Sequence, residues 1–182
     1  MTRFAGAGGL LGLLVAALSG LAVAEDAGAH SASDAYLTMT ADRSRATGPS
    51  VIQGQWDIAL RDLDFVLKLD DDGDGRLSWG EVHRHQATIE RYAYQHLALA
   101  GGPGNPCSIK PERQLIDGRA DGAYAALFFE AVCAHAPRKL TLHYSLFFAI
   151  DPSHRGILVM RNGPAVSTAV LSPEHAEIDL LR

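Results

Sequence analysis

The sequence has little positive charge and, beyond Ala24, no long apolar segment. Its 16 basic residues are outnumbered by 21 acidic ones, which gives a formal charge of −5. Proteins that bind a nucleic-acid backbone need a basic surface, so we do not expect this chain to bind nucleic acid. Since no segment after Ala24 is long and apolar enough to cross a membrane, we expect the chain beyond Ala24 to be soluble. A hydrophobic content of 47% is typical of a folded globular protein.

The start of the chain has the pattern of a signal peptide over residues 1–24. Arg3 precedes the apolar stretch Leu10–Ala17, and small residues at Ala22 and Ala24 fit the A-x-A cleavage rule. An uncleaved anchor helix is the alternative, because Phe4–Ala24 could nearly span a bilayer. The many Gly and Ala residues and the cleavage site favour the signal peptide. We therefore expect cleavage after Ala24 and a periplasmic or secreted protein.

Cysteine is scarce, and the two residues present are Cys107 and Cys133. In an exported protein an even pair of cysteines more often forms a disulfide than a metal or catalytic site. Two buried free thiols are the alternative. We predict a Cys107–Cys133 disulfide.

The pattern along the chain predicts a leader, a helical segment and a β-rich segment. Residues 25–54 lack periodicity and are predicted to form a flexible leader. Within residues 55–100, apolar residues at helical spacing predict helices over Gln55–Leu69 and Trp79–Leu99. The breaker cluster Gly101–Pro106 then marks a domain boundary.

Beyond that cluster, residues 107–182 alternate in a way that predicts a β-rich domain. The expected strands are Ile109–Ile116 and Ala123–Cys133 around an Asp117–Gly122 turn, Leu140–Phe148, Ile157–Arg161 and Ala165–Leu171 around a type I′ Asn162-Gly163 turn, and Ala176–Leu181. The alanines of Ala123–Cys133 would also suit a helix. The fold class predicted from the whole pattern is α+β, a helix–loop–helix unit followed by a small antiparallel β domain.

The stretch Asp70–Glu81 carries the chemistry of the sequence. Calcium prefers six to eight oxygen ligands, and a twelve-residue loop between two helices can supply them from positions 1, 3, 5, 7, 9 and 12. Position 6 requires a sharp turn, and Gly75 occupies it. The candidate metal ligands are Asp70, Asp72, Asp74, Arg76 through its carbonyl, Ser78 through a water, and Glu81.

All of these positions resemble the EF-hand family. The structural alternative is an acidic Asp/Gly turn without an ion, but such turns rarely combine Gly at position 6 with Glu at position 12. Five acids and one arginine give the loop a net charge of −4, which a cation would relieve. EF-hands usually occur in pairs, and no second loop motif is present in the sequence. The partner could be a degenerate loop in residues 34–54, another copy of the chain or the β domain.

A second resemblance extends over roughly residues 55–172. It rests on Gly75-Arg76-Leu77-Ser78-Trp79-Gly80-Glu81, Cys107, Asp121-Gly122-Ala123-Tyr124, Cys133 and Leu142–Gly156. This order of segments is similar to the N-terminal extracytoplasmic region of HupE/UreJ-type membrane proteins. The resemblance implies a periplasmic β-rich domain, which in that family precedes membrane helices linked to nickel or cobalt handling.

Histidines and hydroxyl residues give weaker signals. His83 and His85 lie two apart on a predicted helix, where they point to different faces, so we interpret them as surface residues. The group Asp151, Ser153 and His154 is explained more simply by a turn than by a catalytic triad. We therefore do not expect an enzyme.

These observations predict an exported calcium-binding protein whose ion serves as a structural or interaction element. Its expected partners are the calcium ion and a protein or second copy bound through the unpaired EF-hand, with a membrane partner left open. The alternative is an accessory or truncated extracytoplasmic domain of a HupE/UreJ-like nickel/cobalt transport system.

Overall fold

A six-stranded mixed sheet dominates the structure, a computed structural model that describes residues 33–41, 50–134 and 139–180. Three short helices and a three-stranded sheet accompany it. In chain order the elements are β1 (Asp34–Ala41), β2 (Ser50–Ala59), α1 (Leu60–Leu67), α2 (Trp79–Arg84), α3 (Gln86–Gln95), β3 (Leu97–Ala100), β4 (Ser108–Arg119), β5 (Gly122–Cys133), β6 (Thr141–Tyr144), β7 (Arg155–Asn162), β8 (Ala165–Leu171) and β9 (Glu177–Asp179).

The large sheet has the strand order β4-β5-β2-β1-β7-β8, and the small sheet has the order β3-β6-β9. All neighbours in the large sheet are antiparallel except β1 and β7, which are parallel. That parallel pair joins Leu37 to Leu158 and Met39 to Met160, far apart in the sequence. It therefore connects the β4–β5–β2–β1 half of the sheet to the β7–β8 hairpin.

One face of the large sheet is apolar because its strands alternate with period two. Leu37 and Met39 of β1, Trp56 of β2, and Leu127 and Phe129 of β5 are fully buried on this inner face. Leu37 pairs with Trp56, and Trp56 pairs with Leu127, so these large side chains form one continuous layer. Burying each of them contributes roughly 1.5–3 kcal/mol.

The helices and the small sheet cover this inner face. Tyr144 of β6 lies over Trp56 with ring centroids 5.5 Å apart, and Tyr94 of α3 meets Phe129 edge-on at 5.8 Å. Leu63 of α1 is also buried in the same cluster. Residues before and after Gly101–Pro106 therefore share one hydrophobic core.

Two glycines on the inner face make room for aromatic rings. A Cβ added to Gly54 of β2 would overlap the Phe129 ring, and one added to Gly156 of β7 would lie 2.8 Å from Tyr144 Cζ. Neither glycine has a positive φ, so both are required for space and not for backbone conformation. The packing density of a protein interior leaves little room for such overlaps to relax.

The predicted fold class of a helical EF-hand unit followed by a small β domain is wrong. Of the residues that the structure describes, 52% lie in strands and 18% in helices. Strand β1 and the first half of β2 lie within residues 25–54, where a flexible leader was expected. The local pattern does not reveal β1, because its parallel partner β7 begins only at Arg155. The helix expected over Gln55–Leu69 is replaced by the end of β2 and by α1, because Trp56 belongs to the alternating pattern of β2.

Other predicted boundaries also change. The helix expected over Trp79–Leu99 divides at His85 into α2 and α3, and the chain then continues as β3. The strand expected over Leu140–Phe148 is confirmed only over Thr141–Tyr144. Of the last predicted strand, Glu177–Asp179 is formed, and its final residue Leu181 lies outside the described part.

Both predicted hairpins are confirmed. The segment predicted as Ala123–Cys133 is a strand, β5, and not a helix, and it pairs with β4 from Gly122 to Val132. In the β7–β8 hairpin, Asn162 pairs with Ala165, so the central residues are Gly163 and Pro164. The positive φ of Gly163, 59°, followed by proline fits a type II′ turn. The type I′ turn expected on Asn162-Gly163 is therefore wrong.

The space left by Gly54 generates a prediction for stability. Gly54→Ala should lower the free energy of unfolding by at least the 1–3 kcal/mol or so that is typical of overpacking, because the buried Phe129 ring must move. Gly118→Ala in β4 is the matched control, since an added Cβ there has no neighbour within 4 Å. Urea denaturation of both variants measures the difference. Equal stabilities of the two variants would contradict the packing described for the inner face.

Candidate metal site

The acidic loop Asp70–Glu81 begins where α1 ends. Lys68 takes a left-handed conformation with φ 54° and closes the helix. The Asp64 Oδ1 atom then accepts hydrogen bonds from the amides of Leu69, at 2.7 Å, and Asp70, at 3.1 Å. Leu69 is fully buried. The first residue of the loop is thus held in place by a helix that packs in the core.

The aspartates at loop positions 1, 3 and 5 fold the backbone around themselves. Asp70 accepts hydrogen bonds from the amides of Gly73, at 2.7 Å, and Gly75, at 2.9 Å. Asp72 and Asp74 each accept from the amide two residues further on, at 3.1 and 2.8 Å. Gly75 has φ 77°, which confirms that position 6 needs a left-handed residue.

These three carboxylates converge. One oxygen from each of Asp70, Asp72 and Asp74 lies within 4.8 Å of the other two. Two ligands that bind one calcium ion at about 2.3–2.6 Å can be separated by no more than roughly 4.6–5.2 Å. The spacing of the three oxygens therefore fits a single ion of this size.

Glu81, the predicted ligand at position 12, does not belong to that group in the structure. Its side chain is buried, and Oε1 accepts from the amide of Asp71 at 3.0 Å. Oε2 accepts from the amide of Ser78 at 2.8 Å and from the Ser78 hydroxyl at 2.7 Å. The carboxylate thus joins the two ends of the loop.

The predicted ligands Arg76 and Ser78 differ in the hydrogen bonds that they make. The Ser78 Oγ atom accepts from the amide of Glu81 at 3.3 Å and completes a capping box at the start of α2. The amide of Arg76 donates to Asp74, and the role of the Arg76 carbonyl as a ligand stays a prediction. Leu77 is half-buried and packs against the core.

Asp71 is the loop carboxylate that faces away from the site. Its Oδ2 atom accepts from Arg84 Nε at 3.0 Å and Nη2 at 2.8 Å, and its Oδ1 atom lies 2.8 Å from His85 Nε2. The hydrogen bonds from His85 and then Arg84 lower the pKa of Asp71. Hydrogen bonds from Ser78 likewise lower the pKa of Glu81. Both carboxyls therefore stabilise the fold above their unfolded pKa and lose that contribution as the pH falls through the lowered folded value.

The β4–β5 turn is the neighbour of the loop. A cavity of about 320 Å³ lies between them and is lined by residues of three segments: Ala59–Arg61 and Asp64, Gly75–Leu77, and Asp121–Tyr124. Arg61 Nη1 donates across it to the Asp121 carbonyl at 3.5 Å. The degenerate second EF-hand considered for residues 34–54 is not formed by the described residues there, which lie in β1 and β2.

The disulfide prediction is confirmed. Cys107 and Cys133 are joined, and both are buried. The bridge links the segment just before β4 to the end of β5. It therefore fastens the end of β5, the second strand of the large sheet, to the segment that connects β3 with β4.

A largely buried hydrogen-bond chain, which the sequence analysis did not predict, ties α1 to the turn before β7. Ser33 Oγ donates to Asp62 Oδ2 at 2.9 Å and lies 2.7 Å from His154 Nδ1. His154 Nε2 lies 2.7 Å from the Tyr144 hydroxyl. Since the Ser33 proton points to Asp62, the consistent assignment has Nδ1–H donating to Ser33 and Tyr144 donating to Nε2. A serine arranged in this way is not deprotonated by the histidine.

The environment of His154 agrees with a neutral imidazole. It is fully buried, and this burial lowers its pKa to about 4. Asp151 and Ser153 form the expected turn, in which Asp151 Oδ1 accepts from the Ser153 amide at 2.9 Å and hydroxyl at 2.6 Å. His83 is exposed, as expected.

The capping box predicts the effect of changing Ser78. Ser78→Ala removes the hydroxyl that accepts from Glu81 and should cost about 1 kcal/mol, which corresponds to a melting temperature lower by roughly 2–4 °C. Ser78→Thr keeps the hydroxyl and is the matched control. Thermal melting in the presence of a chelator measures both. If Ser78→Ala melts at the same temperature as the wild type, the capping box does not stabilise the loop.

Comparisons with known proteins leave the function to be argued from this geometry. No protein-family model matches the chain, and a search of curated proteins gives no significant match. Among the described residues, no helix has the length and apolar character needed to cross a bilayer. The resemblance of the loop to EF-hands thus rests on its own residues and on the convergence of its carboxylates.

Proposed function

We propose that this chain is an exported, non-enzymatic protein that binds one calcium ion in the loop Asp70–Glu81. The observation that carries the proposal is the convergence of Asp70, Asp72 and Asp74 within 4.8 Å. The positive φ of Gly75 supports it, because a turn at this position brings the backbone round the same point. The ion acts as a structural or interaction element.

The chemistry of the donors favours calcium. The three aspartates offer only carboxylate oxygens, and calcium is a hard cation that takes oxygen ligands. Nickel and cobalt bind more readily where imidazole is available, and His85, which contacts the loop, bonds to the outward-facing Asp71. Arg84 also pairs with Asp71. Among the described residues, the loop carboxylates that have no ion pair are therefore candidate ligands.

The site is connected to the core at both ends, which supports a structural role. Asp64 of α1 holds the entry to the loop, and Leu77 packs against the core near its exit. Glu81 bonds the amides of Asp71 and Ser78, and as the predicted ligand at position 12 it would also complete the coordination. Calcium bound here should therefore stabilise the whole fold and not the loop alone.

Export is the second part of the proposal. The pattern of residues 1–24 predicts it, although that segment lies outside the described residues. The Cys107–Cys133 disulfide supports it, because such bonds persist mainly in oxidising compartments. Calcium is abundant outside the cytoplasm, where binding modules work at about 10⁻⁴–10⁻³ M. A moderate to weak affinity would therefore suffice.

Calcium should raise the melting temperature of the intact chain. At a hundredfold excess over Kd the gain is about 2.7 kcal/mol, or roughly 5–10 °C for a domain of this size. Asp70→Asn and Asp72→Asn should each abolish most of this shift, because each removes one of the converging carboxylates. Differential scanning calorimetry with calcium, magnesium or chelator measures it.

Asp71→Asn is the matched control. It removes the same charge from the same loop, but its side chain bonds Arg84 and His85 and does not face the site. This variant should keep the calcium shift. If all three variants lose the shift equally, the loop attracts calcium only through its total charge. If the wild type shows no shift up to about ten millimolar calcium, above the range of extracellular modules, the loop does not bind it.

A further inference from the structure

The two edges of the large sheet are built differently. The outer strand β4 contains Pro111, the charged residues Lys110, Glu112, Arg113 and Asp117, and a register irregularity between Pro111 and Arg113. Proline, charges and bulges are the usual means by which an edge strand is kept from pairing with another chain. The β4 edge is therefore protected.

The opposite edge, β8, has none of these protections. Its sequence, Ala-Val-Ser-Thr-Ala-Val-Leu, contains no charged residue and no proline, and it pairs with β7 without a register shift. Val166 and Val170 are 56% and 57% exposed. An exposed, regular and uncharged edge strand is a ready template for another strand.

The hairpin geometry shows which backbone groups of β8 point outward. In a two-residue hairpin, the pair that flanks the turn is hydrogen-bonded, and this pair is Asn162–Ala165. Because hydrogen-bonded and non-hydrogen-bonded pairs alternate along an antiparallel ladder, Val166, Thr168 and Val170 direct their N–H and C=O groups away from β7. Within the described part of the chain, β7 is the only strand that pairs with β8.

The outward-pointing backbone groups of these three residues are complementary to the same groups of a second copy rotated by 180°. Antiparallel pairing centred on Thr168 places Thr168 opposite Thr168, and it places Val166 of each copy opposite Val170 of the other. Each of the three pairs exchanges two backbone hydrogen bonds, about six in all. Cross-strand pairs of β-branched residues and of threonines are favourable. A two-fold axis needs such a self-complementary surface.

We propose that two copies of this chain associate through antiparallel pairing of β8 with β8, which joins their large sheets into one continuous sheet. The surface lies on β8 and does not involve the acidic loop, so it is separate from the self-association predicted through an unpaired EF-hand. No residue of β8 is charged, so the paired strands place no like charges opposite each other. The exposed side chains of Val166 and Val170 become partly buried against those of the second copy, on one face of the joined sheet.

Sedimentation velocity of the intact chain, from about 1 μM to about 1 mM, tests the proposal over the range of moderate to weak affinities. The wild type should approach twice the monomer mass as its concentration rises, equally in calcium and in chelator. Thr168→Lys should weaken dimerisation at least tenfold, because it places two like charges directly opposite each other. Leu115→Lys on the protected edge β4 is the control, since Leu115 is 48% exposed, and it should leave the dimer unchanged.

A charge-reversal experiment separates a lost interface from a damaged fold. Thr168→Asp alone should also be monomeric, whereas an equimolar mixture of Thr168→Lys and Thr168→Asp should form a heterodimer. Recovery of the dimer in the mixture supports the register centred on Thr168. A wild type that stays monomeric throughout the range, a dimer that Thr168→Lys does not weaken, or a mixture that does not recover would each overturn the proposal.

Discussion

The apolar inner face of the large sheet must be shielded from water, and the helices and the small sheet that cover it account for most of the fold. Its strands present a continuous layer of large apolar side chains around Trp56. Tyr144 and Tyr94 cover that layer from the small sheet and from α3, and Gly54 and Gly156 leave the space that the aromatic rings fill. Helix α1 buries Leu63 in the same core. The acidic loop that follows α1 is therefore held at the edge of this core.

This placement explains how a local metal site could stabilise the whole protein. The loop is short of hydrophobic contacts of its own. Its order depends on the hydrogen bonds that its amides donate to the carboxylates of Asp64, at the entry, and Glu81, at both ends. A cation between Asp70, Asp72 and Asp74 would relieve the repulsion among the three carboxylates. Because α1 leads directly into the site, this gain would add to the stability of the core and not only to that of the loop.

Sequence reasoning succeeded where the signal is local. The β4–β5 and β7–β8 hairpins were predicted because alternation and turn residues lie side by side in the chain, and the acidic loop was predicted because its spacing is fixed by the template. It failed for β1, whose parallel partner β7 begins only at Arg155. It also failed for β2, where Gly54 interrupts the apolar alternation and Trp56 fits a helical spacing with the residues that follow. The hydrogen-bond chain through His154 could not be predicted, because its members Ser33, Asp62 and Tyr144 meet only in the folded protein.

The most direct test of the calcium assignment is an NMR titration of the intact, ¹⁵N-labelled chain with calcium. We expect saturable shifts with one ion per chain, concentrated in the amides of Asp70–Glu81. The largest should include Gly73 and Gly75, whose N–H groups bond to the Asp70 carboxylate. Amides in the middle of β2, such as Gln55, should barely move. An unchanged loop at about ten millimolar calcium, above the extracellular range, or saturable shifts centred elsewhere in the chain, would contradict the account.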